Sequence, residues 1–244
     1  ELFVAVAILA ALGVAILCGI LNGILITIAN VPALIATLGT NSVFLGLAIV
    51  FTKGHGIRGF PEEILAIGNG QALGVPVPFL IFLVVALLLG LLLNRTKLGF
   101  NMVMLGSSPV ASQFSAINNT LVLIKTHVMI AMLAGASSII ILSRVNSMRP
   151  GYGSGYLLLA ILIAILGGTN PNGGFGTVLG VGLGIGSLQV LTSGLNFMGF
   201  PPFFRNFIYG LLLLLVMVLN YYRKEYSGRV LVPKLRTGTK SGQQ

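Results

Sequence analysis

The sequence has 244 residues, of which 56% are hydrophobic and only 7% are charged, whereas a soluble domain carries roughly 25% charged residues. This composition excludes an ordinary soluble domain. The formal charge of +10 does not indicate nucleic-acid binding either, because the basic residues are not interleaved with aromatic residues on one amphipathic face.

Seven apolar runs predict an all-α, polytopic transmembrane helical bundle, because a helix of ~20 residues crosses the hydrocarbon core with every backbone group paired. Runs such as 80–93 and 211–219 are apolar on every face, which argues against the alternating strands of a membrane barrel. The predicted helices are Leu2–Ala29, Val31–Thr52, Val77–Asn94, Leu121–Leu142, Tyr156–Gly168, Gly176–Ser193 and Phe204–Tyr222. The fifth, with 13 residues, would rise only about 20 Å, and the sequence leaves open whether it crosses a core of ~30 Å.

Basic residues predict the orientation of the chain. Six of the fourteen follow the last apolar run, namely Arg223, Lys224, Arg229, Lys234, Arg236 and Lys240. The positive-inside rule places this tail in the cytoplasm. With one crossing per helix, Arg95–Thr120 then faces the cytoplasm and Lys53–Pro76 faces outside. We therefore expect a membrane domain over residues 1–222, with a cytoplasmic segment at about 95–120, and a basic cytoplasmic tail over 223–244.

Sites for catalysis, metals or nucleotides are not predicted. The phosphate-binding pattern G-x-x-x-x-G-K-[ST] does not occur, so ATP hydrolysis would require another chain. Residues 54–59 match G-x-G-x-x-G, but they lack the flanking strand and helix of a dinucleotide site. The acidic residues are only Glu1, Glu62, Glu63 and Glu225. The single cysteine, Cys18, lies in an apolar helix and gives no disulfide framework or cysteine metal site.

Lys125 and His127 are the ionisable side chains that we consider for a proton pathway. Ionisable groups inside membrane spans often act as relays, which would suit a secondary transporter or channel that works without ATP. Alternatively, Lys125 extends to the membrane interface and His127 makes a structural hydrogen bond. The sequence leaves both interpretations open.

A segment with five glycines lies at 167–176 and reads GGTNPNGGFG. Glycine permits positive φ and close backbone contact, so we expect a tight turn. Its glycines are Gly167, Gly168, Gly173, Gly174 and Gly176. The alternative is an ordinary loop between two helices.

A short amphipathic helix is predicted within the cytoplasmic segment, at about 106–117. Ser108 can cap it, Pro109 suits its first turn, and 111–117 contains no helix breaker. Val110, Phe114 and Ile117 recur at i, i+4 and i+7, which gives one apolar face that could fill a groove on a partner. The alternative is a helix on the membrane surface or against the core of the chain itself.

The ordered series of motifs resembles the ribose and simple-sugar branch of bacterial ABC importer permeases, over essentially the whole chain to Tyr222. The matching segments are VPALIATLGTNSVFLGLAIVFTKG from Val31, RTKLG from Arg95, SRVNSMRPGYGSGY from Ser143, LGGTNPNGGFGTVLG from Leu166 and SGLNFMGFPPFFRNFIYG from Ser193. The most specific part is Leu-Gly-Gly-Thr followed by Gly-Gly-x-Gly-Thr.

This resemblance implies the permease subunit of an ATP-driven importer of a simple sugar in the bacterial inner membrane. The implied partners are cytoplasmic ATPase chains, which hold ATP and Mg, an extracytoplasmic sugar-binding protein and a second permease chain. It also implies that the short helix couples to the ATPase through Ser108, Pro109, Val110, Ala111, Phe114 and Ile117. Family members carry further N-terminal helices, so we expect the chain to be truncated before Glu1.

Uncharged polar residues in the predicted helices are candidates for the sugar path. They are Asn22, Asn41, Gln189 and Asn206. Their amides could hydrogen-bond sugar hydroxyl groups, or they could instead bridge neighbouring helices.

Two departures from the family are visible. Leu157 and Leu159 stand where the family usually has Glu and Asp, so the role of those two carboxylates is vacant here. Residues 107–109, which read Ser-Ser-Pro, replace a typical Gly-Asn-x, and Ala116 replaces a typical Gly. Neither the sugar nor the pairing of permease chains is predicted.

Overall fold

The computed structural model describes residues 2–72, 74–170 and 173–230, and within them it contains ten helices and four two-residue strands. The helices are α1 (Leu2–Thr27), α2 (Ala33–Thr52), α3 (Glu62–Asn69), α4 (Val77–Arg95), α5 (Lys97–Ser107), α6 (Pro109–Phe114), α7 (Asn119–Val145), α8 (Ser154–Leu166), α9 (Val178–Phe197) and α10 (Pro202–Val230). The strands are β1 (Ile57–Arg58), β2 (Gln71–Ala72), β3 (Val75–Pro76) and β4 (Ser147–Met148).

Six helices in the described part of the chain are long and apolar enough to cross a membrane. They are α1, α2, α4, α7, α9 and the segment Phe203–Asn220 of α10. The remaining predicted helix is α8, which has 13 residues. The prediction of an all-α, multi-spanning helical membrane protein is therefore confirmed.

The segment predicted as an outer loop contains structure that the sequence analysis missed. Helix α3 follows Pro61 and begins with Glu62 and Glu63, whose negative charges favour a helix N-terminus. Strands β2 and β3 follow α3 as an antiparallel pair. An eight-residue helix and two-residue strands are too short to give a periodic hydrophobic signal.

The described residues divide into two compact units, of which the first lies within 2–156 and 170–178 and the second within 157–169 and 179–230. The centre of the first unit is the contact between α1 and α7. A methyl group added at Gly19 would lie 2.8 Å from Val128 Cα, and one added at Gly23 would lie 2.9 Å from Ile124 Cα. Gly19 and Gly23 thus form a packing surface against α7, where a residue larger than glycine would clash.

At the C-terminal end of α7, Ser143 ties the helix to α3. Ser143 is fully buried, its hydroxyl accepts a hydrogen bond from Gly68 N at 2.6 Å, and its carbonyl accepts one from Asn69 Nδ2 at 3.2 Å. Next to it β1 pairs antiparallel with β4, with Ile57 opposite Met148 and Arg58 opposite Ser147. The segments after α2 and after α7 therefore lie at the same end of this unit.

The second unit contains most of α8, together with α9 and α10. A methyl group at Gly184 would lie 2.9 Å from Ile163 O, and one at Gly167 would lie 2.7 Å from Val181 Cα, so α8 and α9 pack closely. The hydroxyl oxygens of Thr192 and Tyr209 lie 2.8 Å apart, and their hydrogen bond joins α9 to α10. Not every glycine of α9 lies at such a contact, because a methyl group at Gly182 or Gly186 would meet nothing within 4 Å.

Helix α10 continues to Val230, beyond the predicted end at Tyr222. Residues 223–230, which we assigned to a tail, are therefore helical, in keeping with the high helix propensity of Arg, Lys and Glu. The rest of the predicted tail, which includes Lys234, Arg236 and Lys240, lies outside the described residues, as do Pro171 and Asn172 of the glycine-rich segment.

Candidate functional site

Helix α6 is short but firmly anchored. Its cap is Ser108, whose hydroxyl accepts a hydrogen bond from Ala111 N at 3.2 Å, and Pro109 occupies the first turn. Ser112 is fully buried and donates to Asn119 Oδ1 at 2.5 Å, while Asn119 Nδ2 donates to Pro109 O at 3.0 Å. These bonds fix α6 against the beginning of α7.

The side of α6 opposite Ser112 is apolar and exposed. Val110 is 63% exposed and Phe114 is 89% exposed, and Ala111 is also exposed. Exposed aromatic and aliphatic side chains on an anchored helix form a surface that can bind a complementary groove. The predicted coupling surface thus consists of Val110, Ala111 and Phe114.

The expectation that α6 continues to Ile117 is wrong. The helix ends at Phe114, because Ala116 has a left-handed backbone with φ 56°, and Ile117 N donates to Ser112 O at 3.1 Å. Hydrogen bonds of this kind close a helix C-terminus around a left-handed residue, a position that usually holds glycine. Ile117 is half-buried and does not extend the exposed face in the way that the i, i+4, i+7 pattern suggested.

The glycine-rich segment forms a turn that Asn170 closes. Asn170 N donates to Phe175 O at 2.9 Å, Gly173 N donates to Asn170 O at 2.9 Å, and Asn170 Nδ2 donates to Gly173 O at 3.0 Å. Gly173 and Gly174 have φ values of 92° and 82°. These left-handed conformations strain any residue that has a Cβ atom, so both positions favour glycine.

The other glycines of this segment differ from one another. Gly168 also has a positive φ, of 78°. Gly167 is instead restricted by the close approach of Val181, and Gly176 is exposed.

The glycine-rich turn contacts the chain just before α6. A methyl group at Gly106 would lie 2.6 Å from Gly174 N, and one at Gly174 would lie 2.9 Å from Ser107 Cα. A methyl group at Gly173 would lie 3.1 Å from Gly106 O. The structure therefore joins the predicted coupling segment to the predicted turn, although the two are far apart in the sequence.

The chain segment that contains α8 begins and ends near opposite ends of α7. Tyr152, which precedes α8, lines a cleft with Arg58 at the C-terminal end of α7. Gly174, which follows α8, contacts Ser107 close to the N-terminal end of α7. Both Tyr152 and Gly174 belong to the first unit, so the chain between them passes from one end of α7 to the other.

The four candidate path residues have different surroundings. Asn22 Oδ1 accepts a hydrogen bond of 2.7 Å from the buried Thr40, which joins α1 to α2. Asn22 is thus a bridge between helices. Asn41 on α2, Gln189 on α9 and Asn206 on α10 are exposed. An amide exposed on a membrane span requires a hydrogen-bonding partner, from water in a path or from another chain, because hydrocarbon provides none.

The surroundings of Lys125 and His127 fit structural roles better than a proton relay. His127 Nδ1 lies 2.9 Å from Leu123 O, one helical turn earlier. Lys125 is exposed and lies in the second turn of α7, within reach of the interface. This geometry favours structural roles for both.

Two further features escaped the sequence analysis. Arg205 lies at the beginning of α10, and its Nε is buried without a hydrogen-bond partner among the described residues. The sequence signal for Arg205 was its position as an ionisable residue next to the apolar run of α10. At the opposite end of α7 from α6, Arg58, Arg149 and Tyr152 line one cleft together with Met148. No local pattern could reveal that cleft, because the pairing of β1 with β4 creates it.

Comparisons with known proteins identify related chains. Residues 2–217 match the family model described as branched-chain amino acid transport system / permease component. The chain is 34% identical over 208 residues to the autoinducer 2 import system permease protein LsrD of Yersinia enterocolitica, which covers 83% of this chain and 63% of that protein. It is 33% identical over 201 residues to the ribose import permease protein RbsC of Bacillus subtilis, which covers 82% and 62%.

LsrD of Escherichia coli K12 is 34% identical over 218 residues, which cover 87% of this chain and 66% of that protein. The chain thus spans slightly less than two thirds of the length of these relatives. No solved structure matches it.

Proposed function

We propose that this chain, which belongs to the branched-chain amino acid transport system / permease component family, is the permease subunit of an ATP-driven importer of a simple sugar. The observation that carries the proposal is the similarity along most of the chain to permeases named for the import of ribose and autoinducer 2. Six helices able to cross a membrane suit such a subunit. We place it in the bacterial inner membrane, with its C-terminus in the cytoplasm.

Energy for transport comes from a separate ATPase in this proposal, and ATP and Mg bind there. The sequence contains no phosphate-binding loop of the pattern G-x-x-x-x-G-K-[ST]. The ATPase docks on α6, where Phe114 and Val110 offer an exposed apolar surface that Ser112 holds in place. A groove that takes up this surface would transmit its movement to α7 through the bonds of Asn119.

The opposite end of the first unit faces outside in this arrangement. There the pairing of β1 with β4 and the bonds of Ser143 give a fixed surface next to the helices. We assign to this end the extracytoplasmic sugar-binding protein, which supplies the high-affinity recognition of the sugar. A second permease chain completes the path.

The exposed amides suit a neutral, hydroxyl-rich solute. Asn41, Gln189 and Asn206 can each donate and accept hydrogen bonds without carrying charge. We propose each of these three side chains as a contact for the sugar, whereas Asn22 has a structural role.

The alternative function was an ATP-independent secondary transporter or channel. It depends on Lys125 and His127, yet His127 bonds to its own helix and Lys125 can reach the interface. The named relatives are import-system permeases. Both observations favour the importer.

Co-purification tests the proposal. The chain is expressed with an ATPase and a secreted sugar-binding protein encoded by neighbouring genes, and the complex is isolated in lipid nanodiscs. We expect a stable complex whose ATP hydrolysis rises when the sugar-loaded binding protein is added. A chain that is folded but neither retains the ATPase nor changes its hydrolysis would contradict the proposed function.

A further inference from the structure

The turn between α8 and α9 is packed in a different unit from those two helices. Asn170–Val178 belongs to the first unit, whereas Leu157–Thr169 and Leu179 onward belong to the second. This turn therefore leaves the second unit, makes its contacts in the first and returns. Any movement of the turn acts directly on the ends of α8 and α9, because the chain is continuous.

The partner of the turn is the junction between α5 and α6. The contact is between backbones: Gly174 N would lie 2.6 Å, and Gly173 C 3.4 Å, from a methyl group at Gly106. The side chain at the closest points is that of Ser107, whose Oγ would lie 2.6 Å from a methyl group at Gly174, and this short side chain can absorb little displacement. Packed backbones with so little free space move together.

Both segments are braced internally. On one side, Asn170 makes three hydrogen bonds across the turn to Gly173 and Phe175. On the other, Ser108 caps α6 two residues after Gly106, and Ser108 N donates to Met104 O at 3.0 Å. A displacement of α6 therefore shifts Gly106 and Ser107 as part of a rigid segment.

We propose that the contact of Gly173 and Gly174 with Gly106 and Ser107 is the joint that carries a displacement of α6 to α8 and α9. The inference rests on the proposed function, in which the ATPase moves α6. In that setting the four residues are positioning residues: they bind neither ATP nor sugar, but they determine how much of the movement of α6 reaches the helices beyond the turn. Gly106 allows the close approach, and the positive φ of Gly173 and Gly174 shapes the turn to fit it.

The test separates coupling from assembly with Gly106→Ala. The added methyl group pushes the turn away from the junction but leaves the exposed face of α6 intact. We expect the ATPase to bind and to hydrolyse ATP, while sugar uptake per ATP hydrolysed falls by about fivefold or more, a typical coupling effect. A purely structural role would lower the amount of folded complex and leave this ratio unchanged.

Two glycine-to-alanine controls match this substitution. Gly168→Ala adds a methyl group at a positive φ with nothing within 4 Å, so it tests backbone strain in the same segment without a clash. Gly186→Ala adds one on α9, also with nothing within 4 Å. We expect Gly186→Ala to keep the ratio of uptake to hydrolysis, and Gly168→Ala to change it less than Gly106→Ala does. A wild-type ratio in Gly106→Ala would overturn the proposal.

A distance measurement keeps the proposal testable if Gly106→Ala does not fold. Spin labels at Ser115 and Phe175, both exposed, report the separation of α6 from the turn in a chain with all its glycines. We expect this separation to change by less than about 2 Å between nucleotide-free and ATP-bound complexes, within the range of small helix shifts. A larger change would show that α6 and the turn move independently, and would contradict the proposal that their contact carries the displacement of α6. If the wild-type complex shows no ATP-dependent uptake, the proposed function fails instead.

Discussion

Replacement of Phe114 by alanine removes the most exposed part of the proposed ATPase docking surface. The side chain is 89% exposed, and an aromatic residue buries roughly 150–250 Å² when a partner covers it. At about 25 cal/mol per Å², full burial contributes roughly 4 to 6 kcal/mol. Central aromatic residues at interfaces cost about 2 to 4 kcal/mol when truncated, so we expect the Kd for the ATPase to rise about 30-fold to 700-fold.

The same substitution should leave the chain itself intact. Phe114 contributes little to internal packing, and surface substitutions change the free energy of unfolding by about 0.5 kcal/mol or less. The matched control is Phe51→Ala, because Phe51 is 84% exposed and lies at the end of α2, before β1. Affinity for the ATPase is measured by titration onto nanodiscs that contain each variant, and thermal unfolding is followed in parallel.

Two results would refute this reasoning. Equal ATPase affinity in Phe114→Ala and Phe51→Ala would show that α6 does not dock the ATPase. A large loss of thermal stability in Phe114→Ala alone would show that its side chain is packed within the folded chain, and that the exposed face of α6 is misassigned.

Three further predictions concern stability, each measured by unfolding of the purified chain. Gly19→Ala should lower the free energy of unfolding by about 1 to 3 kcal/mol through overpacking against α7, whereas Gly13→Ala, with nothing within 4 Å, should not; equal effects would contradict the tight contact. Ala116→Gly should raise it by about 0.5 to 1 kcal/mol, because glycine adopts the left-handed backbone without strain; a loss would contradict that conformation. Thr40→Val should lower it by about 0.6 kcal/mol through loss of the bond to Asn22, and Thr40→Ser should keep it; equal losses would argue against the bond.

The membrane fold was predictable because long apolar runs have few alternatives in lipid. The start of α6 was predictable for a local reason, since serine followed by proline specifies a helix N-terminus within two residues. Its end was not, because Ala116 has no side-chain signal for a left-handed conformation. The resembling family usually has glycine at this position. The left-handed backbone explains why, because glycine adopts it without strain.

The contact between the glycine-rich turn and α6 could not be derived from the sequence. Each glycine indicates that another segment can approach closely, but the neighbouring residues do not indicate which segment that is. Asn22 illustrates the same limit, because an amide in an apolar helix can line a path or bridge to a neighbour, and only the position of Thr40 decides between them. Tertiary contacts therefore determine which polar residues remain available for transport.

Accumulation of labelled sugar in proteoliposomes tests the central claim most directly. The vesicles contain the chain with its ATPase, and the sugar-binding protein is supplied on the face opposite the ATPase. We expect sugar to accumulate above its external concentration only when ATP is present on the ATPase side and the binding protein is present on the other. Accumulation by the chain alone, driven by a proton gradient without ATP, would contradict the account.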